Sequence, residues 1–234
     1  MTPSEHARVW GIGLGPGDPE LLTLKALRLI RTADVIAYPA PEKGDSFART
    51  IAAPHLSGCQ REIAIRMPLG DGSFPKSDIY DAAAKEILDE VGNGRHVAVL
   101  CEGDPFFYGS FIYLYSRLVD RCSVAVVPGV SSLMACAASC KMPLALRDQT
   151  LTILPGTLPE HDLRRHLATA EATAIVKVGR HLGKVRGILK ALGLIEGARY
   201  IEHATLGTEC VLPLKQVTQT QAPYFSMILV QARE

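Results

Sequence analysis

The chain has 234 residues, 47% hydrophobic and 6% aromatic, with a formal net charge of +1. That length can bury one large core or two modest ones, and the near-neutral balance supplies no global field for nucleic acid or an anionic membrane. The opening MTPSEHARVW lacks a basic start followed by an apolar core, and no later apolar run is long enough to span a bilayer; a cytoplasmic protein without nucleic-acid or membrane partners is expected.

In chain order, residues 9–14 (VWGIGL) read as a first strand. Residues 21–31 then form an amphipathic helix, with Leu22, Ala26 and Leu29 inward and Lys25, Arg28 and Arg31 outward. A second strand at 35–38 follows with almost no connection. The clearest helix is 80–91, where Tyr80, Ala83, Ala84, Ile87, Leu88 and Val91 make one stripe before Gly92-Asn93-Gly94 ends it. A strand at 97–101, a helix near 110–118, a strand at 124–127 and a helix near 132–140 continue the alternation, which is the pattern of strands crossing over through helices into a parallel sheet.

The pattern changes near 142–149, where Pro143 blocks helix continuation and Arg147-Asp148-Gln149 leads into a new strand at 150–154. A domain boundary is expected there, giving α/β domains over 1–145 and 146–234. The second half offers helices near 159–168 and 181–192 and strands at 174–178, 199–203, 211–214 and 224–230. The last two strands have no convincing helix between them, so this sheet is expected to be mixed.

The six cysteines, Cys59, Cys101, Cys122, Cys136, Cys140 and Cys210, are scattered without a C-x-x-C. Cys136 and Cys140 are one helical turn apart, but two thiols supply only half of a structural zinc site, so core packing outweighs metal ligation and no metal is expected. The usage fits a reducing compartment.

Three glycine and proline turns each follow an apolar strand: residues 13–19, 102–109 and 128–132. In an open parallel sheet such turns gather at the carboxyl edge, where ligands bind. The dinucleotide pattern G-x-G-x-x-G fails in every frame, meeting Pro16, Asp18 or Glu20 where the third glycine is required, and there is no G-K-[ST] phosphate loop. What remains is a backbone passage that a ligand can approach closely. Asp18-Pro19 and Asp104-Pro105 each fit a helix N-cap followed by proline at the first helical position, and Ser131 can cap in the same way; three such turns together favour a backbone-lined pocket.

VWGIGLGPGDPELLTLKALRLIRTADVIAY at 9–38, EGDPFFYGSFIYLYSRL at 102–118 and VVPGVSSLMACAA at 126–138 resemble the tetrapyrrole methylase family, densely and in the right order. Within it, GDGSFPKSDIYDAAAKEI at 70–87, PGTLP at 155–159, KVGRH at 177–181 and APYFSMILV at 222–230 are most similar to precorrin-2 C20-methyltransferases. The resemblance implies two α/β domains, an N-terminal parallel sheet and a C-terminal mixed sheet with flanking helices, a cleft between them and a homodimer. It implies S-adenosylmethionine held largely by main-chain groups, with contacts at Pro16, Glu102, Gly103, Asp104, Phe107, Ser131, Ser132, Val178 and Ala204. The implied activity is methylation of precorrin-2 at C20 to give precorrin-3A in cobalamin biosynthesis. The cobalt-loaded factor II substrate, another corrinoid methylase, a diphthine synthase and a non-catalytic adenosylmethionine sensor stand as alternatives. One departure matters: uroporphyrinogen-methylating relatives place an aspartate, proposed as a base, after the tyrosine ending the second strand, and here that position is Pro39.

Methyl transfer from a sulfonium is an in-line displacement that gains most from alignment and water exclusion. The proton leaving C20 needs an acceptor, and Glu102, Asp104, His181, Glu202 and His203 are candidates, none standing out. Substrate carboxylates favour arginine forks; Arg147, Lys177 and Arg180 are the expected partners, with His181 and Lys184 behind them and Lys184 more readily read as solvated. Tyr108, Tyr113 and Tyr115 could pack on a macrocycle, but aromatic residues in an apolar helix are usually core.

Overall fold

The structure is a computed structural model that describes residues 8–67 and 77–231, so the 70–76 part of the GDGSFPKSDIY segment lies outside the described residues. The chain divides into two compact units, Met1–Ser131 and Ser132–Glu234.

In the first unit, β1 (Arg8–Gly13), α1 (Leu24–Thr32), β2 (Val35–Pro41), α2 (Phe47–Ala52), β3 (Arg61–Met67), α3 (Ser77–Gly92), β4 (Val97–Cys101), α4 (Phe111–Leu118) and β5 (Ser123–Val127) follow in order. Their five strands are all parallel, in the order β3-β2-β4-β1-β5. Helices cover both faces, which is why β4 can read VAVLC without a polar residue. Val9, Val97 and Val99 meet Ile87, Leu114 and Leu118 of α3 and α4 on one face. Trp10, Ile12 and Leu100 meet Ala26, Ile30 and Ile51 of α1 and α2 on the other. Gly11 lets α4 press onto the sheet, since a Cβ there would stand 2.3 Å from Cε1 of Phe111.

The helix expected over 21–31 is divided. A 3-10 turn at Pro19–Leu21 is capped by Asp18, which accepts the Glu20 N–H at 2.8 Å as its Asp-Pro spacing predicts. Leu22 is extended, and α1 starts afresh behind Thr23, whose side chain accepts the Ala26 N–H. Two elements, α2 and β3, had no counterpart in the sequence reading. β3 alternates cleanly, with Ile63, Ile65 and Met67 buried and Glu62, Ala64 and Arg66 exposed, as an edge strand with one covered face does. The end of α3 is locked to the start of β3 by Glu90, whose buried carboxylate takes Arg61 and Arg95, each at 2.8 Å.

The second unit contains α5 (Ser132–Ser139), β6 (Leu151–Pro155), α6 (Glu160–Thr169), β7 (Ala172–Val176), α7 (Leu182–Ala191), β8 (Ala198–Glu202), β9 (Cys210–Pro213) and β10 (Ser226–Val230). The sheet is mixed, in the order β6-β7-β10-β8-β9: β6 and β7 are parallel, while β10 runs antiparallel to both β7 and β8. A short loop returns β8 directly to β9, so that pair is antiparallel too. Leu163 and Leu167 of α6 and Val185, Ile188 and Leu189 of α7 pack on Ile175, Tyr200 and Ile228. The second unit opens at α5, ahead of the expected boundary at residue 145, and α5 lies against β10. Among the described residues no helix is long and apolar enough to cross a membrane.

Candidate active site

β4, β1 and β5 are neighbours and parallel, so the three glycine turns that leave them emerge side by side at one sheet edge. The first two are sewn together through the main chain. The Leu14 N–H donates to the Cys101 carbonyl at 2.9 Å, and Gly15 and Gly103 exchange hydrogen bonds of 3.2 and 2.7 Å. Asp104 ties in the third turn: its Oδ2 accepts the Gly129 N–H at 3.0 Å while its Oδ1 accepts the Phe106 N–H at 2.9 Å. A Cβ on Gly129 would lie 2.1 Å from the Gly103 carbonyl oxygen, a contact that main chain on both sides cannot relieve. The result is a single main-chain ledge.

Asp104 therefore does not cap a helix, as its Asp-Pro spacing suggested. Residues after it form turns and α4 begins only at Phe111, so its carboxylate braces two turns instead. Pro16 is half-buried in the first turn and Phe107 in the second, the latter edge-on to Tyr108 with ring centroids 5.0 Å apart. Ser131 closes the first unit and Ser132 opens α5. Tyr108 is about half exposed and held at φ 57°, a left-handed conformation rare for an aromatic residue. Tyr115 meets Phe106 edge to face at 5.1 Å, and Tyr113 tilts onto Tyr80.

Glu102, the first residue after β4, is partly buried. Burial pushes its carboxyl above the usual range, while its own N–H and that of Ala48 pull it back. The contact with Ala48 ties the second turn to α2. That helix is held at its start by Ser46, whose Oγ accepts the Arg49 N–H at 3.2 Å and donates to the Pro39 carbonyl at 2.5 Å. So Pro39 serves here through its carbonyl. Arg49 also forks onto Glu62 at 2.6 and 2.8 Å, and the Tyr38 hydroxyl joins Glu62 at 2.6 Å. The Arg49 hydrogen bonds draw the Glu62 carboxyl below its ordinary value.

In the second unit, β7 and β8 point the same way and flank β10, which brings residues 177–181 and 203–205 to one edge. The Ala222 N–H donates to the Gly179 carbonyl at 3.0 Å and the His203 N–H to the Phe225 carbonyl at 2.9 Å, fixing both segments to the entry of β10. Val178 and Ala204 are buried there. Lys177, His203 and Thr205 have φ of 54°, 52° and 69°, three non-glycine residues in the left-handed region at one edge. Such strain gathers where surrounding structure imposes it, often at functional sites.

The acceptor candidates on this edge differ in what they are already doing. The Glu202 carboxylate takes the Tyr200 hydroxyl at 2.5 Å, and burial together with that bond pushes the tyrosine up. His203 Nδ1 lies 3.2 Å from Thr208 Oγ1. His181 is half-buried, with Nε2 accepting from Arg180 at 3.4 Å; burial, then Lys184 and Arg180, lower its value and keep the ring neutral at pH 7. Lys177 and Arg180 are exposed at this edge. Arg147 precedes β6 and so sits toward the opposite, amino-terminal end of that sheet, apart from them. Lys184 is not freely solvated: it is half-buried, with Nζ donating to the Leu158 carbonyl at 2.5 Å.

Cys101 and Cys136 are buried, as core residues would be. Burial raises Cys136 to about 12 and Cys140 to about 11, which keeps both protonated. Among the described residues no three His, Cys, Asp or Glu side chains cluster as a metal site would.

The family model for Tetrapyrrole (Corrin/Porphyrin) Methylases matches residues 8–217. The chain is 43% identical over 97% of its length to the cobalamin biosynthesis protein CobIJ of Mycobacterium tuberculosis, but covers only 46% of that protein, so it spans about half the length of this relative. It is 39% identical to the precorrin-2 C(20)-methyltransferase of Sinorhizobium sp, covering 95% of this chain and 94% of that one. To the cobalt-precorrin-2 C(20)-methyltransferase of Salmonella typhimurium it is 32% identical over 96% of each. Among solved structures, the cobalt precorrin-4 methyltransferase CbiF superposes with a TM-score of 0.77 at 22% identity, covering 99% of this chain and 98% of that one. The uroporphyrin-III C-methyl transferase of Thermus thermophilus, complexed with S-adenosylhomocysteine, gives 0.67 at 23%, covering 96% and 97%. These two likenesses establish the fold, a parallel and a mixed sheet with flanking helices. On the extent of the family match and the identity to its full-length relatives, the chain belongs to the tetrapyrrole (corrin/porphyrin) methylases.

Proposed function

We propose that the chain transfers the methyl group of S-adenosylmethionine to C20 of precorrin-2, giving precorrin-3A in cobalamin biosynthesis. The observation that carries this reading is the 39% identity across nearly the full length of the Sinorhizobium precorrin-2 C(20)-methyltransferase. The lower identity, 32%, to the Salmonella enzyme named for the cobalt-loaded substrate favours the metal-free ring, with the cobalt form as the second reading.

The ledge built by the three turns supports a cofactor held by main-chain groups. Both Asp104 oxygens are engaged with backbone N–H groups, which leaves recognition to the peptide groups and to shape. On this reading Pro16, Glu102, Gly103, Asp104, Phe107, Ser131 and Ser132 bound the cofactor, joined by Val178 and Ala204 from the second unit. Bound S-adenosylmethionine supplies a methyl group on a positively charged sulfur.

The residues of the chain align that methyl with the substrate carbon and keep water out. Lys177 and Arg180 meet the substrate's acetate and propionate groups; Arg147 is the weaker claimant because of its place before β6. Of the acceptor candidates His181 is best prepared to take the C20 proton, being neutral at pH 7 and beside Arg180. Glu202 is occupied with Tyr200 and Asp104 with two backbone groups. A homodimer is part of the same proposal. It rests on the family resemblance alone and is tested by sedimentation equilibrium. Turnover with metal-free and with cobalt-loaded substrate, compared side by side, tests the substrate assignment. Faster turnover of the cobalt form would reverse the order of the two readings.

A further inference from the structure

We infer that Glu209 is a positioning residue that fixes the turn 203–205, the second unit's share of the cofactor site; the inference rests on the cofactor reading above. Glu209 lies at the far end of the loop that returns β8 to β9, and one carboxylate oxygen serves two donors. Its Oε2 accepts the Thr205 N–H at 2.7 Å and the Ser139 hydroxyl at 2.7 Å. The first bond reaches back across the loop to a residue held at φ 69°, and the second anchors the loop to the last residue of α5.

Further bonds close the same loop. The Leu206 N–H donates to the His203 carbonyl at 3.0 Å, the Glu209 N–H donates to the Leu206 carbonyl at 2.9 Å, and Thr208 Oγ1 meets His203 Nδ1 at 3.2 Å. Ala204, the proposed cofactor contact, sits between His203 and Thr205, both left-handed, so its placement follows from whatever holds them. The position of the carboxylate is informative as well. It stands at the C-terminal end of α5, where the helix dipole disfavours negative charge, and it helps raise the thiols of Cys136 on that helix and of Cys140 just after it. Placement against an unfavourable field is what a group held by its hydrogen bonds would show, and the charge itself is then dispensable.

The distinguishing experiment is calorimetric binding of S-adenosylhomocysteine to the wild-type chain and to E209A, E209Q and S139A. Glu209 is exposed, which keeps the expected loss modest: E209A raises Kd about three- to tenfold. S139A, which removes only the α5 anchor and leaves the loop's own bonds, raises it about twofold. E209Q stays within about twofold of wild type, because a carboxamide oxygen can accept both bonds. Wild-type affinity in E209A, or E209Q as weak as E209A, would overturn the inference while leaving the cofactor assignment standing. A wild-type chain that does not bind S-adenosylhomocysteine would overturn both.

Discussion

The brace provided by Asp104 can be removed with one substitution, and the cost follows from its two bonds. In D104A the Phe106 and Gly129 N–H groups lose a charged acceptor at 2.9 and 3.0 Å. A hydrogen bond to a charged group contributes about 1.5–3 kcal/mol when sheltered and less when solvent replaces it. The Phe106 bond is exposed and counts for about 0.5–1 kcal/mol, the part-buried Gly129 bond for about 1.5–2 kcal/mol. The sum, about 2–3 kcal/mol, corresponds to a melting temperature lowered by roughly 5–10 °C for a chain of this size. D104N separates the two contributions: its amide oxygen can still serve Phe106, but its NH2 faces the Gly129 N–H, so about 1.5–2 kcal/mol is lost. Hydrogen exchange read by mass spectrometry, with urea unfolding alongside, measures both effects. Protection should fall first in the peptide spanning 128–131, and affinity for S-adenosylhomocysteine should fall with it. Stability within about 0.5 kcal/mol of wild type, with unchanged exchange at Gly129, would refute the idea that this carboxylate couples the second and third turns.

Three further outcomes test other parts of the account. G129A places a Cβ 2.1 Å from the Gly103 carbonyl, so its melting temperature should drop below that of D104A; wild-type behaviour would mean the turns are not in contact. Because the Arg49 bonds depress the folded Glu62 value, the stabilisation they confer is present above the ordinary value of 4.5 and is lost as the pH falls through the folded one. The stability difference between wild type and E62Q should then be about 0.5–1 kcal/mol at pH 7, given that both partners are partly exposed. It should shrink steadily below pH 4.5, and a difference persisting unchanged to pH 3 would contradict the fork. His181 should titrate below 6.5 in an NMR experiment, since burial and two neighbouring cations disfavour its proton; with the unfolded chain protonating first, stability declines as the pH falls below 6.5, and a midpoint above 6.5 would contradict its assigned surroundings.

Elements with strong periodicity were legible from sequence. β4 runs 97–101 as read, and the stripe of Tyr80, Ala83, Ala84 and Ile87 is the buried face of α3. The mixed second sheet was legible too, because the sequence between 211–214 and 224–230 carries no amphipathic helical pattern, and the structure has only a 3-10 turn at Leu214–Gln216 there. β3 was missed although REIAIRM alternates with period two. Its signal is diluted by Arg61, Glu62 and Arg66, charges that an edge strand can keep in solvent on its open face. α2 was missed because six residues are too few to establish a helical period. The three turns were placed on one edge because each follows a strand of a sheet read as parallel, and the structure adds the strand order and how they are joined. A local rule gave Asp104 to a helix cap, and a long-range bond to Gly129 claimed it instead. Glu209 carried no sequence signal at all, since its partners Ser139 and Thr205 are brought to it only by the fold. The left-handed backbone at Lys177, His203 and Thr205 was equally invisible, because none of them is the glycine that usually marks such a position.

The most direct test of the central claim is to incubate the chain with S-adenosylmethionine carrying a 13C methyl group and with precorrin-2, and to locate the new carbon in the product by NMR. The account predicts a single enriched methyl at C20, with S-adenosylhomocysteine released in equal amount. An enriched methyl at any other ring position, or cofactor bound without transfer, would contradict it.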